Sequence, residues 1–365
     1  MLPSLLYDTE ICRDEFLKNR PFRNIGDLLV SSCPSVMNIL RLCGAEERVF
    51  NNCSDYERFT ALCYSMPYIH NHPVKNGINT ILQHIFSFYD ELSPYNIDEA
   101  WQTLNEIIEN ECITPSTLLS SLNVESVCLR VGPFDDPICS LPDIDIYSVL
   151  DLNNITEIIS SEKNNCISFA DFIKKITDFN SYSSIGITFN SSYSFVRNSK
   201  KLELEGIYLA LKEKKDVSDS DINAIITSVV IELARCLSNN NKPFIIRSYG
   251  CINGLEKLFD YLSLNKILPD DALVAFKSLD NIENFLIKHT KRNLFGLPSI
   301  VPIHHDLQSL SKIYPIGFAI QICDNITDIV KAASFISESV EIEERFGEEM
   351  GENISCINIK NRFHI

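Results

Sequence analysis

Histidines come first in a search for chemistry, because imidazoles bind transition metals and move protons near neutral pH. Two short motifs bring histidines close together, His-Asn-His at residues 70–72 and His-His-Asp at residues 304–306. The first has the spacing of a metal-binding pair, but it lies between predicted helices beside a proline, which favours a surface loop. The second follows a proline and opens a predicted helix, which favours helix capping by His305 and Asp306 over a catalytic pair.

A charged residue at the end of a predicted strand is a second kind of candidate. Arg247 ends one predicted strand. Because parallel α/β barrels collect catalytic and binding groups at the carboxyl ends of their strands, Arg247 is a candidate site residue. For Arg247 two interpretations stay open, an anion-binding group and a salt-bridged arginine at the rim.

Other catalytic and cofactor motifs are missing from the sequence. No glycine-rich nucleotide loop, Gly-x-Ser-x-Gly or His-Glu-x-x-His occurs. The 13 cysteines include no Cys-x-x-Cys pair, so zinc ribbons and thioredoxin-like sites have no support. Four of them, Cys33, Cys43, Cys53 and Cys63, recur at even spacing. Buried free thiols in helices are the favoured interpretation, and a redox or metal ladder is the alternative.

Composition and charge restrict the partners. The chain has 365 residues, 45% of them hydrophobic and 22% charged, which predicts a packed core. A net charge of −17 repels phosphate backbones and anionic lipids, so neither nucleic acid nor a membrane is an expected partner. The N-terminus lacks the basic and apolar segments of a secretory leader, so a cytoplasmic location is expected. A homo-oligomer is compatible with these properties.

Three regions differ in their periodicity. Residues 1–30 are predicted as a short helix with an entry segment, and residues 31–120 as almost entirely helical. From residue 121 onward strands alternate with helices, which predicts a parallel sheet with crossover helices and, most economically, a closed barrel. The predicted strands are 124–129, 185–189, 243–247, 271–276, 294–296 and 316–323, and the longest predicted helix is 218–237.

Short stretches along nearly the whole chain carry a family resemblance. They include Leu-Tyr-Asp-Thr at 6–9, Ser-Asp-Tyr-Glu-Arg-Phe at 54–59, residues 123–128 and 135–137, Asn-Lys-Ile-Leu-Pro at 265–269, Phe-Gly at 295–296, Cys-Asp-Asn at 323–325 and residues 356–363. Their order and spacing resemble uronate isomerase, the hexuronate aldose–ketose isomerase of the amidohydrolase superfamily. The resemblance implies an α/β fold, a distorted (β/α)8 TIM-type barrel with an all-helical insertion near the N-terminus. It divides the chain into residues 1–30 (the N-terminal part of the barrel domain), 31–120 (the insertion) and 121–365 (the barrel domain).

Most positions to which this family assigns chemistry carry other residue types here. The family moves a proton between C1 and C2 of a uronic acid, which needs an electrophile at the carbonyl, a base and cations for the carboxylate. The first strand, with its His-x-His pair, is expected to be absent. The family's remaining histidines, an aspartate and a tryptophan pair align with Asn76, Asn79, Asn190, Ser191, Arg247 and residues 299–301.

A few positions keep the family's residue. Asp324 stands where the family has a metal-binding aspartate, and Asp135 and Asp136 are retained behind a short insertion. By the resemblance, Asp324 and Arg247 are the catalytic candidates, and Arg247, Asn253, Asp135 and Asp136 are the substrate-binding candidates. No metal-binding set is implied, because Asp324 is the single retained candidate, and a divalent metal such as zinc is expected only if the family site is kept.

The favoured hypothesis is a uronate isomerase-like protein with a degraded site that is weakly active or inactive on hexuronates such as D-glucuronate. Its basis is the loss of histidine, arginine and tryptophan at separate strand ends, since each such loss removes transition-state stabilisation. One alternative is a non-catalytic barrel protein that binds a sugar acid or a protein partner. The others are an active isomerase with a rebuilt site and a different chemistry that uses Arg247, Asp324 and His304 or His305.

Overall fold

Two units of structure share the chain. The first comprises residues 1–129, 139–146 and 324–356, and the second residues 130–138, 147–323 and 357–365. The computed structural model describes residues 4–9, 17–70, 72–135, 141, 144–178, 182, 184–189, 191–196, 200–238, 242, 244–248, 251–268, 272–276, 293–298, 318–321 and 328–346.

The described residues form both strands and helices. The strands are β1 (Ser4–Thr9), β2 (Val124–Val131), β3 (Asp145–Asp151), β4 (Ser184–Phe189), β5 (Phe244–Ser248), β6 (Ala272–Phe276), β7 (Asn293–Pro298) and β8 (Phe318–Gln321). The α-helices are α1 (Pro34–Leu42), α2 (Arg48–Asn51), α3 (Asp55–Ser65), α4 (Pro73–Phe86), α5 (Ile97–Glu111), α6 (Pro115–Ser121), α7 (Ile155–Ser160), α8 (Phe169–Ile176), α9 (Lys201–Lys212), α10 (Asp219–Leu237), α11 (Ile252–Leu264) and α12 (Ile329–Phe346).

Helices build most of the first unit, and local signals set their ends. Ser54 begins α3 with a capping box, in which its hydroxyl accepts the Glu57 amide at 3.2 Å and the Glu57 carboxylate accepts the Ser54 amide at 2.8 Å. Helix α4 packs along α12, and Gly77 permits their close approach, because a Cβ atom there would overlap the carbonyl oxygen of Val330.

The N-terminal strand of the first unit corrects one prediction. Residues 4–9 form β1, which pairs in parallel with β2, with Leu6 opposite Val127. The predicted short helix is therefore wrong at these residues. β1 contains no histidine, and the expected absence of the family's strand with a His-x-His pair stays a prediction.

Parallel strands build the sheet of the second unit, where β3 to β8 pair in chain order. Every residue of β5 is buried, which fits its continuous apolar run Phe-Ile-Ile. In the register of the sheet, Arg247 of β5 lies opposite Thr188 of β4 and Ala275 of β6. The carboxyl ends of neighbouring strands therefore meet at one edge of the sheet.

The observed elements agree with the α/β prediction in most places. The six predicted strands are present with ends shifted by a few residues, and the predicted helix 218–237 is α10. Strand β3 is an addition that the sequence analysis does not predict. Residues 31–120 contain α1 to α6 and, among the described residues, no strand. The closed barrel and the domain boundaries at residues 30 and 120 remain predictions.

The evenly spaced cysteines lie in the helical region as free thiols. Cys33 and Cys63 are buried, and Cys43 and Cys53 are half-buried. Burial raises the pKa of the Cys63 thiol to about 12, so this thiol stays protonated and unreactive at neutral pH. The interpretation as buried structural thiols is confirmed for Cys33 and Cys63. In the described part of the chain, no helix is long and apolar enough to cross a membrane.

Candidate functional site

Arg247 lies near the carboxyl end of β5, and its side chain is only 2% exposed. Its Nη1 atom is 3.7 Å from Oδ1 of Asp151 at the end of β3. The same atom donates a hydrogen bond of 3.4 Å to Oδ1 of Asn153, in the loop after β3. Because a guanidinium stays charged when buried, the Asp151 carboxylate compensates a charge that would otherwise be strongly unfavourable.

Hydrogen bonds connect these residues across three strands. Thr188 of β4 donates through Oγ1 to Oδ1 of Asn153, and the backbone amide of Asn153 donates to Oδ1 of Asp151 at 3.2 Å. Gly186 leaves the space that the guanidinium fills, since a Cβ atom there would lie 2.8 Å from Nη1 of Arg247. We call these four residues the strand-end cluster: Asp151, Asn153, Thr188 and Arg247. Its polar side chains bind one another.

The geometry favours one of the two interpretations of Arg247. The ion pair with Asp151 and the 2% exposure fit a salt-bridged arginine, although one buried beneath the strand ends and not at the rim. An incoming carboxylate would have to compete with Asp151 for the guanidinium and would find little surface to contact. An anion-binding role would therefore require the cluster to open.

The donor set of the strand-end cluster does not fit a zinc ion. Zinc sites in proteins use three or four histidine, cysteine or carboxylate ligands. The cluster offers one carboxylate and no imidazole, and its guanidinium repels cations. Across the described residues, no group of three His, Cys, Asp or Glu side chains could hold a metal. Asp151 is also the one member of the cluster able to accept a proton, because amides, hydroxyls and arginine do not do so near neutral pH.

The described histidines lie within a helix of the first unit (His84) or between its helices (His70 and His72) and not at strand ends. His72 caps α4, where its Nδ1 atom accepts the Val74 amide at 3.2 Å. Burial, and to a smaller extent the nearby charge of Lys331, lower the pKa of His72. His70 is exposed, with its Nδ1 atom 3.4 Å from Nζ of Lys75. This arrangement matches the predicted loop between helices, and His304 and His305 lie outside the described residues.

The other predicted site residues are dispersed. Asp135 closes the turn after β2, where its carboxylate accepts the Gly132 amide at 3.0 Å and pairs with Nζ of Lys163 at 2.7 Å. Asn253 is exposed in the first turn of α11, and Ser191 is exposed in a turn after β4. The predicted positions Asp136, Asn190, 299–301 and Asp324 lie outside the described residues.

Asn76 and Asn79 border a cleft of about 310 Å³ in the first unit. The exposed face of α4 forms one wall, and residues 88–91 form the other. This cavity is called the α4 cleft below. The resemblance aligns both asparagines with histidines. Unlike an imidazole, a carboxamide forms hydrogen bonds but does not exchange protons near neutral pH.

Three functional candidates are not predicted from the sequence: Asp151 and Asn153, because β3 is not predicted, and Thr188, which lies in the predicted strand β4 without a charge to mark it. One signal does precede them, since the apolar pair Val149 and Leu150 leads into an acidic residue and an asparagine-rich turn. That order is typical of a strand that ends at a polar loop. This signal is weak because the beginning of β3 is half-exposed, so no run of buried residues marks the strand as a whole.

Comparisons with known proteins agree on one family. The sequence model described as glucuronate isomerase matches residues 1–153. The uronate isomerase of Caldanaerobacter subterraneus subsp. tengcongensis is 23% identical over 321 residues, which cover 73% of this chain and 68% of that protein. The uronate isomerase of Brachyspira hyodysenteriae is 23% identical over 336 residues, which cover 82% of this chain and 69% of that protein.

A solved structure extends the likeness over almost the whole chain. The crystal structure of the uronate isomerase of Thermotoga maritima matches with a TM-score of 0.79 and 12% identity, covering 99% of this chain and 94% of that one. At this identity the likeness shows the fold. Together with the sequence matches, it confirms the resemblance of this chain to uronate isomerases.

Proposed function

We propose that this chain is a uronate isomerase-like protein whose isomerisation of hexuronates such as D-glucuronate is weak or absent. The observation that supports this most directly is Arg247, which stands where the resemblance places a histidine and is paired with Asp151. A guanidinium is a permanent cation that neither binds a metal ion nor accepts a proton. In its buried ion pair, Arg247 therefore provides no group for proton transfer at this position of β5.

The fold behind this proposal is a closed, distorted (β/α)8 barrel with a helical insertion at residues 31–120. The chain order of β3 to β8 and the likeness to the Thermotoga maritima structure support it. For any remaining turnover, the proposed catalytic residues are Asp324 and Arg247, of which Arg247 can act only when the strand-end cluster opens and releases it from Asp151. Asn253, Asp135 and Asp136 are proposed to contact the substrate. The proposed location of the protein is the cytoplasm.

The alternative proposal is a barrel protein that no longer catalyses and binds a sugar acid or a protein partner. It shares the loss of proton-transferring groups with the first proposal, and the two differ in whether any product forms. A measurable rate that depends on Asp324 would support the weakly active enzyme. The absence of turnover together with retained binding of D-glucuronate would support the binding protein.

An isomerase assay tests the proposal. The purified chain is treated with a chelator, supplied with zinc or left without it, and incubated with D-glucuronate while D-fructuronate is measured. Loss of several transition-state interactions predicts a rate at least about 1,000-fold below that of the Thermotoga maritima enzyme assayed in parallel. A zinc-dependent rate within about tenfold of that enzyme, abolished by Asp324→Asn, would overturn the proposal.

A further inference from the structure

Lys75 is a buried lysine at the base of the α4 cleft. It is 5% exposed, and its Nζ atom pairs with the Glu91 carboxylate and lies 3.4 Å from Nδ1 of His70. A buried ammonium needs such partners, because its removal from water is otherwise strongly unfavourable. The ion pair therefore connects residues 88–91 to α4 and defines the width of the cleft.

Hydrogen bonds to backbone carbonyls hold the opposite wall of the cleft in place. Ser87 ends α4 in the left-handed conformation with φ of 49°, and the next amide, of Phe88, donates to the carbonyl of Leu82 at 2.9 Å. The Asn96 side-chain amide donates to the carbonyl of Glu91 at 3.1 Å. Both ends of this wall are thus fixed, so the cleft exists before any ligand binds, which favours affinity.

A row of three carboxamides lines the α4 wall. Asn76, Asn79 and Gln83 recur at the spacing that places side chains on one face of a helix. Within the part of the chain that the structure describes, their side chains make no hydrogen bond to the protein. Asparagine also favours helices less than alanine or leucine do. Asn76 and Gln83 are exposed and Asn79 is half-exposed, so the amides are hydrated and can exchange water for a ligand.

Aromatic and acidic residues line the other wall. Phe88 is half-buried, and Tyr89 is 75% exposed, so both rings are accessible from the cavity. Lys75 contributes one positive charge, and Asp90 and Glu91 contribute two negative charges, so the net charge of the cleft is negative. The cleft therefore combines hydrogen-bonding amides, flat apolar rings and a potential that repels anions.

We propose that the α4 cleft binds a neutral, polyhydroxylated ligand of monosaccharide size. Hydroxyl groups both donate and accept hydrogen bonds, as the carboxamides do, so the two sets are complementary. The apolar face of a sugar ring can lie against Phe88 and Tyr89. The volume of about 310 Å³ is at the lower end of the range for small-molecule sites. Because the cleft is negatively charged, its ligand is not a uronate.

Ligand-observed saturation-transfer NMR on the full chain tests this site. D-Glucose, D-galactose and D-mannose are titrated, with D-glucuronate as the charged comparison. We expect at least one neutral hexose to bind with a millimolar Kd and D-glucuronate to bind at least about threefold more weakly. Asn79→Ala and Gln83→Ala are each expected to weaken binding about three- to tenfold, the effect of one lost hydrogen bond.

Matched variants separate the cleft from the rest of the surface. Asn110→Ala and Gln102→Ala change exposed residues of α5 that do not line the cleft, and they are expected to leave the Kd unchanged. Absence of binding by all three hexoses, tighter binding of D-glucuronate that Asn79→Ala weakens, or an unchanged Kd in both cleft variants would overturn the proposal. Such a failure would leave the proposed function intact, because that proposal depends on the strand-end cluster.

Discussion

The strand-end cluster and the α4 cleft use polar side chains in opposite ways. In the cluster, Arg247 is 2% exposed and its neighbours Asp151 and Asn153 bind it directly. In the cleft, the amides of Asn79 and Gln83 face a cavity and make no hydrogen bond within the described residues. Polar groups that satisfy one another stabilise a fold, whereas exposed and unsatisfied ones are available to a ligand. A polar residue at a family's catalytic position is therefore not by itself a sign of retained chemistry.

The largest expected effect tests whether the cluster is a structural ion pair. Asp151→Ala leaves the guanidinium of Arg247 buried without its carboxylate, so the free energy of unfolding should fall by about 3–5 kcal/mol. Urea unfolding measures this change. The control is Glu232→Gln, which breaks an exposed pair with Arg235 at 2.6 Å and should change stability by less than about 1 kcal/mol. Equally small effects of Asp151→Ala and Glu232→Gln would show that Asp151 does not compensate the charge of Arg247.

A double variant sharpens the same comparison. Asp151→Leu combined with Arg247→Met replaces both charges by apolar groups, so no buried charge is left alone. Its stability should exceed that of Asp151→Ala by about 2 kcal/mol or more. A double variant that is less stable than the single one would mean that hydrogen bonds to Arg247, and not charge compensation, dominate the cluster.

Two glycine substitutions probe the space that Arg247 occupies. Gly186→Ala places a Cβ atom 2.8 Å from Nη1 and 3.1 Å from Nη2 of the buried guanidinium, which should destabilise the protein by about 1–3 kcal/mol. Gly206→Ala is the matched change, because nothing lies within 4 Å of the new atom in α9. It should stabilise the helix by about 0.5–1 kcal/mol. Thermal unfolding of both variants measures the two changes in stability. Changes of the same sign would contradict the close packing of Arg247 against Gly186.

A pH series tests the structural role of His72 at the start of α4. Burial lowers its pKa below the ordinary value of 6.5, because only the neutral ring accepts the Val74 amide and avoids a buried charge. The contribution to stability is therefore complete above pH 6.5 and is lost as the pH falls through the lower folded pKa. We expect the unfolding free energy to fall by up to about 1 kcal/mol more in the native chain than in His72→Asn, which keeps a cap without titrating. Identical pH profiles would contradict this role.

The smallest expected effect belongs to the α4 cleft. Asn79→Ala and Gln83→Ala should change the free energy of unfolding by less than about 0.5 kcal/mol, since these side chains make no hydrogen bond to the described protein. Chemical denaturation measures both variants. A loss above about 1 kcal/mol would show that the amides stabilise the fold, and the contrast with the strand-end cluster would disappear.

Strong periodic patterns made much of the fold predictable from the sequence. β5 is a continuous apolar run between a polar loop and Arg247, and α10 has nineteen residues with a serine cap, so both stand out. β1 and β3 do not. In β1 the apolar run Leu5 to Tyr7 is too short to distinguish a strand from a helix. In β3 aspartates stand at both ends and only Val149 and Leu150 are buried, so no clear alternation appears.

Of the strand-end cluster, only Arg247 could be predicted from the sequence. It is conspicuous because a charge follows the apolar residues of a buried strand. Its partner Asp151 is 96 positions earlier in the chain, and only the parallel pairing of β3, β4 and β5 brings the two together. The α4 cleft has the same limitation, because its second wall depends on the left-handed turn at Ser87 and on the pair between Lys75 and Glu91.

Side-chain NMR during ligand titration tests the contrast between the two regions most directly. The uniformly ¹⁵N-labelled chain is titrated first with D-glucose and then with D-glucuronate, while the Arg247 guanidinium signal and the Asn79 and Gln83 amide signals are followed. We expect the amide signals to shift with D-glucose and the Arg247 signal to stay in place with both ligands. A shift of the Arg247 signal on addition of D-glucuronate, with the amide signals unmoved, would contradict this expectation.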